Sequence, residues 1–273
     1  MKKLISVLLF LVILSSLAVI PTAASSWVKV TIDGESYEGT TQIRNNTTYV
    51  GIRHFSTEMY KGAKVSYNSS TRTITVKTDK LTLVCKDGAN YIEANGRYLY
   101  TETPIYMSGG RMYAPVILLA RAFGAKISWS DTMGGFKITR STGGIANARS
   151  VYRDDEVLWL SRIINAESGG EPLRGKIAVG NVILNRVSSS SYPNTIYGVI
   201  FDKRYGVQFS PTSNGTIYNT PNEESIIAAK ICLEGYSIND KIIYFVNPRK
   251  APNSWVVKNR PHFATIGNHA FYL

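Results

Sequence analysis

Asp154-Asp155-Glu156-Val157-Leu158-Trp159-Leu160-Ser161-Arg162-Ile163-Ile164-Asn165-Ala166-Glu167 leads into the turn Ser168-Gly169-Gly170-Glu171-Pro172 and then into a second run, Leu173 to Val187. Three acids at the start suit a helix N-terminus, where the backbone dipole favours negative charge. Leu160, Ile163, Ile164 and Glu167 fall at i, i+3, i+4 and i+7, so they share one helical face. That spacing puts a carboxyl on the apolar stripe, at the end of the helix where the dipole opposes its charge. Desolvation and dipole both raise a pKa in such a place and favour the protonated form. A protonated Glu can donate a proton to a leaving oxygen, as glycosidases require. The spacing equally fits a frayed, solvent-exposed residue at a helix end.

The second run predicts a helix from Leu173 to about Val187, with Leu173, Ile177, Leu184 and Val187 as its apolar stripe. Asn181 interrupts that stripe, which makes it a buried hydrogen-bonding residue or a groove residue; it is carried as a candidate for the groove. Thr195–Phe201 reads as a short helical turn and Tyr205–Pro211 as a loop or hairpin. Thr220-Pro221-Asn222-Glu223 reads as a capping box with Pro at the first helical position, opening a helix that Gly235 closes. Ile242–Pro248 reads as a strand ending in a turn. Residues 154–273 are therefore expected to form a mainly helical unit with a small β element.

Upstream lies a repeat. Tyr49-Val50-Gly51-Ile52-Arg53 followed by Gly62-Ala63-Lys64-Val65-Ser66-Tyr67 is echoed by Tyr113-Ala114-Pro115-Val116-Ile117 followed by Gly124-Ala125-Lys126-Ile127-Ser128-Trp129. Each copy reads as a strand end, a short helix closed by a left-handed Gly, and a strand, with a further strand after a turn (Thr73–Val76 and Phe136–Thr139). Alternating segments such as Val28–Ile32 and Tyr98–Thr101 lie around them. The expected class is α+β: a small two-repeat α+β domain at residues 26–140, a polar, Gly-containing linker at 141–153, and the mainly helical unit at 154–273. Residues 1–25, with Lys2 and Lys3 ahead of the apolar run Leu4–Ile20 and a small-residue segment near Ala24, read as a secretory signal peptide, with an uncleaved anchor helix as the alternative.

Composition narrows the function classes. The 273 residues are 44% hydrophobic and 18% charged, which excludes a wholly disordered chain. The net charge of +12 points to a polyanionic partner. Residues 26–153 hold 17 basic and 9 acidic residues and residues 154–273 hold 12 and 10, so the excess belongs to the N-terminal domain. Export makes nucleic acid an unsuitable partner and anionic wall polymer a suitable one. No membrane partner is expected after cleavage, and a monomer is expected. Two cysteines, Cys85 and Cys232, allow no disulfide framework, and both read as small buried apolar residues in different domains. The three histidines, His54, His262 and His269, show no metal-ligand spacing, so no metal or other cofactor is expected and a zinc amidase is disfavoured. A Cys–His peptidase is disfavoured because Cys232 falls mid-helix.

Two resemblances sharpen this reading. Residues 26–140 resemble the wall-associated domain named after the N-terminal domain of copper amine oxidases, with no ligand cluster here to hold copper. The run Leu160–Pro172, then Gly175–Val187, Tyr192–Ile196, Gln208-Phe209-Ser210, Tyr244–Pro248 and Ile266–Tyr272 resembles, in family order, the spore cortex-lytic type of cell wall hydrolase. That resemblance implies a fold related to goose-type lysozymes and lytic transglycosylases, and peptidoglycan as substrate, cut between N-acetylmuramic acid and N-acetylglucosamine. It implies Glu167 as the catalytic acid, possession of a single such Glu sufficing if the muramic 6-hydroxyl is the nucleophile and a 1,6-anhydro sugar the product. Gln208, Ser210, Tyr244 and Asn247 are the matched polar residues that would line a sugar groove. Glu171 is either a helix-start acid or a second carboxylate of the site, and with it or Asp202 positioning a water the enzyme would be a hydrolytic muramidase. Asn185, Arg186 and His269 read as structural hydrogen-bonding residues. The N-terminal half departs from that of the best-known spore enzymes, which leaves vegetative wall beside spore cortex as substrate. The remaining alternative is a non-catalytic wall-binding protein, against which the presence of Glu167 speaks. The expected location is secreted and wall-associated, in a Gram-positive bacterium.

Overall fold

The computed structural model describes residues 28–204 and 206–273; the expected signal peptide falls outside them. Both copies of the repeat form as the glycine spacing requires. In the first, strand Thr47–Gly51 leads into helix α1 (Ile52–Met59) and strands Lys64–Asn68 and Thr73–Lys77; in the second, strand Arg111–Pro115 leads into helix α2 (Val116–Ala122) and strands Lys126–Ser130 and Gly135–Thr139. Gly62 and Gly124, after the two helices, have φ of +92° and +63°, the left-handed region in which a Cβ is strained. The copies pair with each other: Tyr113, Ala114 and Pro115 lie antiparallel opposite Gly51, Val50 and Tyr49. A five-stranded antiparallel meander runs from Lys64 to Tyr100, and strand Lys29–Ile32 closes a third sheet parallel to Gly135–Thr139. Phe55, Leu83, Ile92, Leu119 and Phe123 are buried at the centre of this unit, together with Cys85.

The C-terminal unit is mainly helical. Helix α3 (Asp154–Ser168) and helix α4 (Leu173–Ser188) pack on each other and on the later helix Glu223–Leu233 around a core that includes Leu160, Ile163, Ile177, Ile183, Ile231 and Cys232. Helix α5 (Ile196–Ile200) and helix α6 (Pro211–Asn214) come between, so Glu223–Leu233 is α7. Its cap differs from the capping box read at Thr220. Asn222 is the N-cap, its side chain accepting from the Ser225 amide, and its own amide donates to the Asn165 side chain on α3. The β element is an antiparallel sheet with strand His269–Tyr272 between Tyr244–Val246 and His262–Ile266. Among the described residues, no helix is long and apolar enough to cross a membrane.

The stretch read as a linker is pinned along its first half. The Ile145 amide donates to the Ala122 carbonyl, and the Asn95 side chain donates to the Ile145 carbonyl. The two units then meet through charge. Glu234, just after α7, is almost wholly buried and accepts from Arg97 Nε and Nη2 at 2.7 Å each, from Arg121 Nη2 at 3.1 Å and from the Tyr152 hydroxyl. Burial opposes ionisation of Glu234, and the bonds from Arg97 and Tyr152 outweigh it, holding the carboxyl below its ordinary range. Alongside, the Tyr236 hydroxyl donates to Glu102, which also pairs with Arg174 at 3.3 Å, and the Tyr100 and Tyr236 rings lie 4.4 Å apart.

Candidate active site

Glu167 sits one residue before the end of α3, and the turn after it is held in three places. Lys176, buried in α4, donates to the Glu171 carbonyl and to the Glu224 carboxylate of α7. The Glu171 carboxylate accepts from the Asn268 backbone amide at 2.8 Å and from its side chain at 2.9 Å, across the hairpin Ile266–His269. Gly267 makes that approach possible: a Cβ there would stand 1.9 Å from Glu171 Oε2. The turn thus joins α3, α4, α7 and the sheet at one rim.

That rim bounds a cleft of about 1240 Å³, whose lining includes Asn165, Glu167, Glu171, Gln208, Ser210, Asn247 and His269. The Glu167 carboxyl is half-buried and, among the described residues, receives no hydrogen bond or ion pair. Burial alone pushes its pKa up to about 7. Glu171, four residues on, has the opposite character. Burial works against its charge, but the two bonds from Asn268 and the nearby His269 and Lys176 hold it below the ordinary carboxylate range. The cleft therefore carries one carboxyl suited to being an acid and one suited to staying a carboxylate.

Other sequence expectations divide. Gln208, Ser210 and Asn247 line the cleft, although Asn247 Oδ1 also accepts from the amides of Arg249 and Lys250, which fixes the turn after the strand. Tyr244 does not line it: its hydroxyl accepts from Arg260 at 3.0 Å and its ring lies 5.6 Å from the Arg186 guanidinium, behind the wall. Asn181 is corrected from groove to core. It is buried, donating to the Tyr236 carbonyl and accepting from the Ile238 amide, so it fastens the chain after α7 to α4. Asp202 binds Arg204 through both carboxylate oxygens and is not among the cleft residues. Asn185, donating to the carbonyls of Asn239 and Ile242, has the structural place expected of it.

Arg186 and His269, read as structural, both reach the cleft. Arg186 is buried within 5.1–5.6 Å of the Tyr192, Phe209 and Tyr244 rings, with Nε donating to the Ile243 carbonyl and Nη1 without a partner among the described residues. His269 Nδ1 is likewise buried and unpartnered, and burial lowers the pKa of its ring. The sequence does carry a signal for Arg186: it follows Val182 and Ile183 at helical spacing, a charge on the buried face of α4.

Each unit is similar to a different set of known proteins. Residues 170–272 match the Cell Wall Hydrolase family, and residues 31–138 match the copper amine oxidase N-terminal domain. Glu167 lies three residues ahead of the first match. Over 125 residues, 46% of this chain, the sequence is 38% identical to the spore cortex-lytic enzyme of Bacillus cereus, covering 47% of that protein. Over 126 residues it is 32% identical to the spore cortex-lytic enzyme of Bacillus subtilis, covering 40% of it. The chain thus spans less than half the length of these relatives. The catalytic domain of the germination-specific lytic transglycosylase SleB from Bacillus anthracis is 36% identical, is covered completely, and superposes on 47% of this chain with a TM-score of 0.41.

Proposed function

We propose that this protein cleaves the glycan strands of peptidoglycan between N-acetylmuramic acid and N-acetylglucosamine, as a lytic transglycosylase. The observation that carries this reading is the half-buried Glu167 carboxyl, with a pKa of about 7, on the wall of an open cleft. The similarity to spore cortex-lytic enzymes supports it. Protonated Glu167 gives its proton to the glycosidic oxygen as the bond to the muramic anomeric carbon breaks. The resulting carboxylate then takes the proton of the muramic 6-hydroxyl, whose oxygen closes on that carbon. That transfer leaves Glu167 protonated as at the start, a 1,6-anhydro sugar leaves, and no water is consumed. One carboxyl serves as acid and then base, where ordinary glycosidases need a pair. Gln208, Ser210 and Asn247 supply amide and hydroxyl groups for sugar hydroxyls and acetamido groups.

One observation favours a second reading. Glu171 is a carboxylate in the same cleft, and if it activates a water the enzyme is a hydrolytic muramidase. In both readings the rate of clearing of a sacculus suspension falls as pH rises through about 7, because Glu167 must start protonated. A rate that stays level from pH 6 to 9 contradicts Glu167 as the acid.

The N-terminal domain, with its excess of basic residues, is proposed to hold the enzyme on anionic wall polymer, at a wall-associated site outside the cytoplasm. Co-sedimentation of the full chain with purified walls is expected to weaken as salt is raised from low to molar concentration; equal binding throughout contradicts an electrostatic hold.

A further inference from the structure

Beside α3, two turns before the cleft, two exposed tyrosines, two partly buried rings and a cation gather. Trp159 has Tyr197 at 5.1 Å, Phe201 at 5.4 Å and Tyr218 at 6.2 Å, all edge-on, and Tyr197 lies 4.5 Å from Phe201. Tyr197 and Tyr218 are 52% and 58% exposed, so large apolar ring faces are left open to water rather than folded inward. The Arg162 guanidinium stands 5.2 Å from the Trp159 ring, has no ion pair among the described residues, and keeps a buried Nε without a hydrogen-bond partner.

The cluster is continuous with the cleft. Tyr218 belongs to the turn Thr216–Tyr218, and Thr216 and Asn219 on either side of it line the cleft. Trp159 and Ala166 are seven residues apart on one helical face, and Ala166 lines the cleft too. Eight residues separate Trp159 from Glu167, about 12 Å along the helix axis.

We propose that Trp159, Tyr197, Tyr218 and Arg162 form a second carbohydrate site, an aromatic platform that takes a pyranose ring of the same glycan strand beyond the cleft; this rests on the glycosidase reading above. The apolar C–H face of an N-acetylhexosamine suits the exposed rings of Tyr197 and Tyr218, and the Arg162 guanidinium beside Trp159 suits the acetamido carbonyl or a stem-peptide carboxylate. An extended glycan running out of the cleft past Thr216 meets these rings next. The platform lengthens the grip on the strand without touching the bond that breaks, so it favours long strands over short ends.

The test uses the full chain carrying Glu167→Gln, so that oligosaccharides are bound and not cut, with β-1,4-linked N-acetylglucosamine dimer and hexamer as probes in calorimetry. Adding Tyr197→Ser and Tyr218→Ser together is expected to weaken hexamer binding roughly three- to tenfold and to leave dimer binding unchanged. With Glu167 restored, the same pair of changes should raise KM for sacculi and leave kcat alone. Tyr218→Phe, which keeps the ring, should bind the hexamer like its parent, and unchanged thermal midpoints confirm that the exposed changes leave the fold intact. Hexamer binding that is absent in the parent, unaffected by the changes, or weakened equally with the dimer overturns the platform. If the hexamer result holds while the unaltered chain releases no fragments from sacculi, the glycosidase reading falls and the platform stands.

Discussion

Glu167→Gln is expected to abolish clearing of purified sacculi, with a rate reduced at least about a hundredfold, because a general acid contributes about 10²–10⁴ and no other described group in the cleft shares its raised pKa. The same change should stabilise the fold in alkali. The folded-state pKa of Glu167, about 7, lies above that of the unfolded chain, so its contribution to stability is present at low pH and is lost as pH rises from about 4.3 through 7. Above pH 7 the native enzyme must hold a carboxylate in a half-buried place that Gln occupies without charge. Partial solvent access softens the penalty, so the variant should gain about 1–3 kcal/mol at pH 8 and little at pH 4. Loss of activity together with a gain in alkaline stability separates a catalytic role from a structural one. If Gln leaves the clearing rate unchanged, catalysis through this carboxyl is wrong.

The second large effect is expected away from the cleft. Glu234→Ala removes the acceptor that Arg97, Arg121 and Tyr152 share, leaving Arg97, itself largely buried, without its partner. Breaking a buried pair from one side costs about 3–5 kcal/mol. We expect a loss of that size in urea unfolding, and a single transition that separates into two as the units lose their clamp. Because the Glu234 pKa is depressed, this contribution is present above the unfolded value near 4.3 and is lost as pH falls through the lower folded value. Arg153→Ala, which removes an exposed pair with Asp155, should leave the midpoint where it is. Equal effects of the two substitutions contradict a buried clamp between the units.

Much of the fold was legible because it rests on local chemistry. The paired Gly-Ala-Lys segments announce themselves through a backbone requirement at Gly62 and Gly124, and both strand–helix–strand copies follow. The i, i+3, i+4, i+7 spacing aligns Glu167 with the apolar stripe of α3 but leaves a buried acid and a frayed, exposed end both open; in the structure it is half-buried at the cleft wall. What was illegible depends on residues far apart in the chain. Asn181 reads as a groove residue because a polar side chain on an apolar stripe looks the same whether it meets ligand or backbone; its partners, at Tyr236 and Ile238, are more than 50 residues away. The Thr220 box fits its motif, yet Asn222, whose amide donates to Asn165, is the cap two residues later. Polar composition marked 141–153 as a linker and could not reveal that Ile145 hydrogen-bonds back to the first unit. Neither Arg97 nor Arg121 carries a mark of Glu234, each more than 100 residues away from it.

In the proposed mechanism one carboxyl, Glu167, cuts the glycan while the substrate supplies its own nucleophile. That mechanism is tested most directly by mass spectrometry of the soluble fragments released from cortex and vegetative sacculi, digested side by side. Fragments ending in 1,6-anhydro-muramic acid, lighter by one water than hydrolytic products, are expected, with none released by the Glu167→Gln variant. Reducing muramic ends without anhydro products would contradict it and assign the ionised Glu171 the task of activating water.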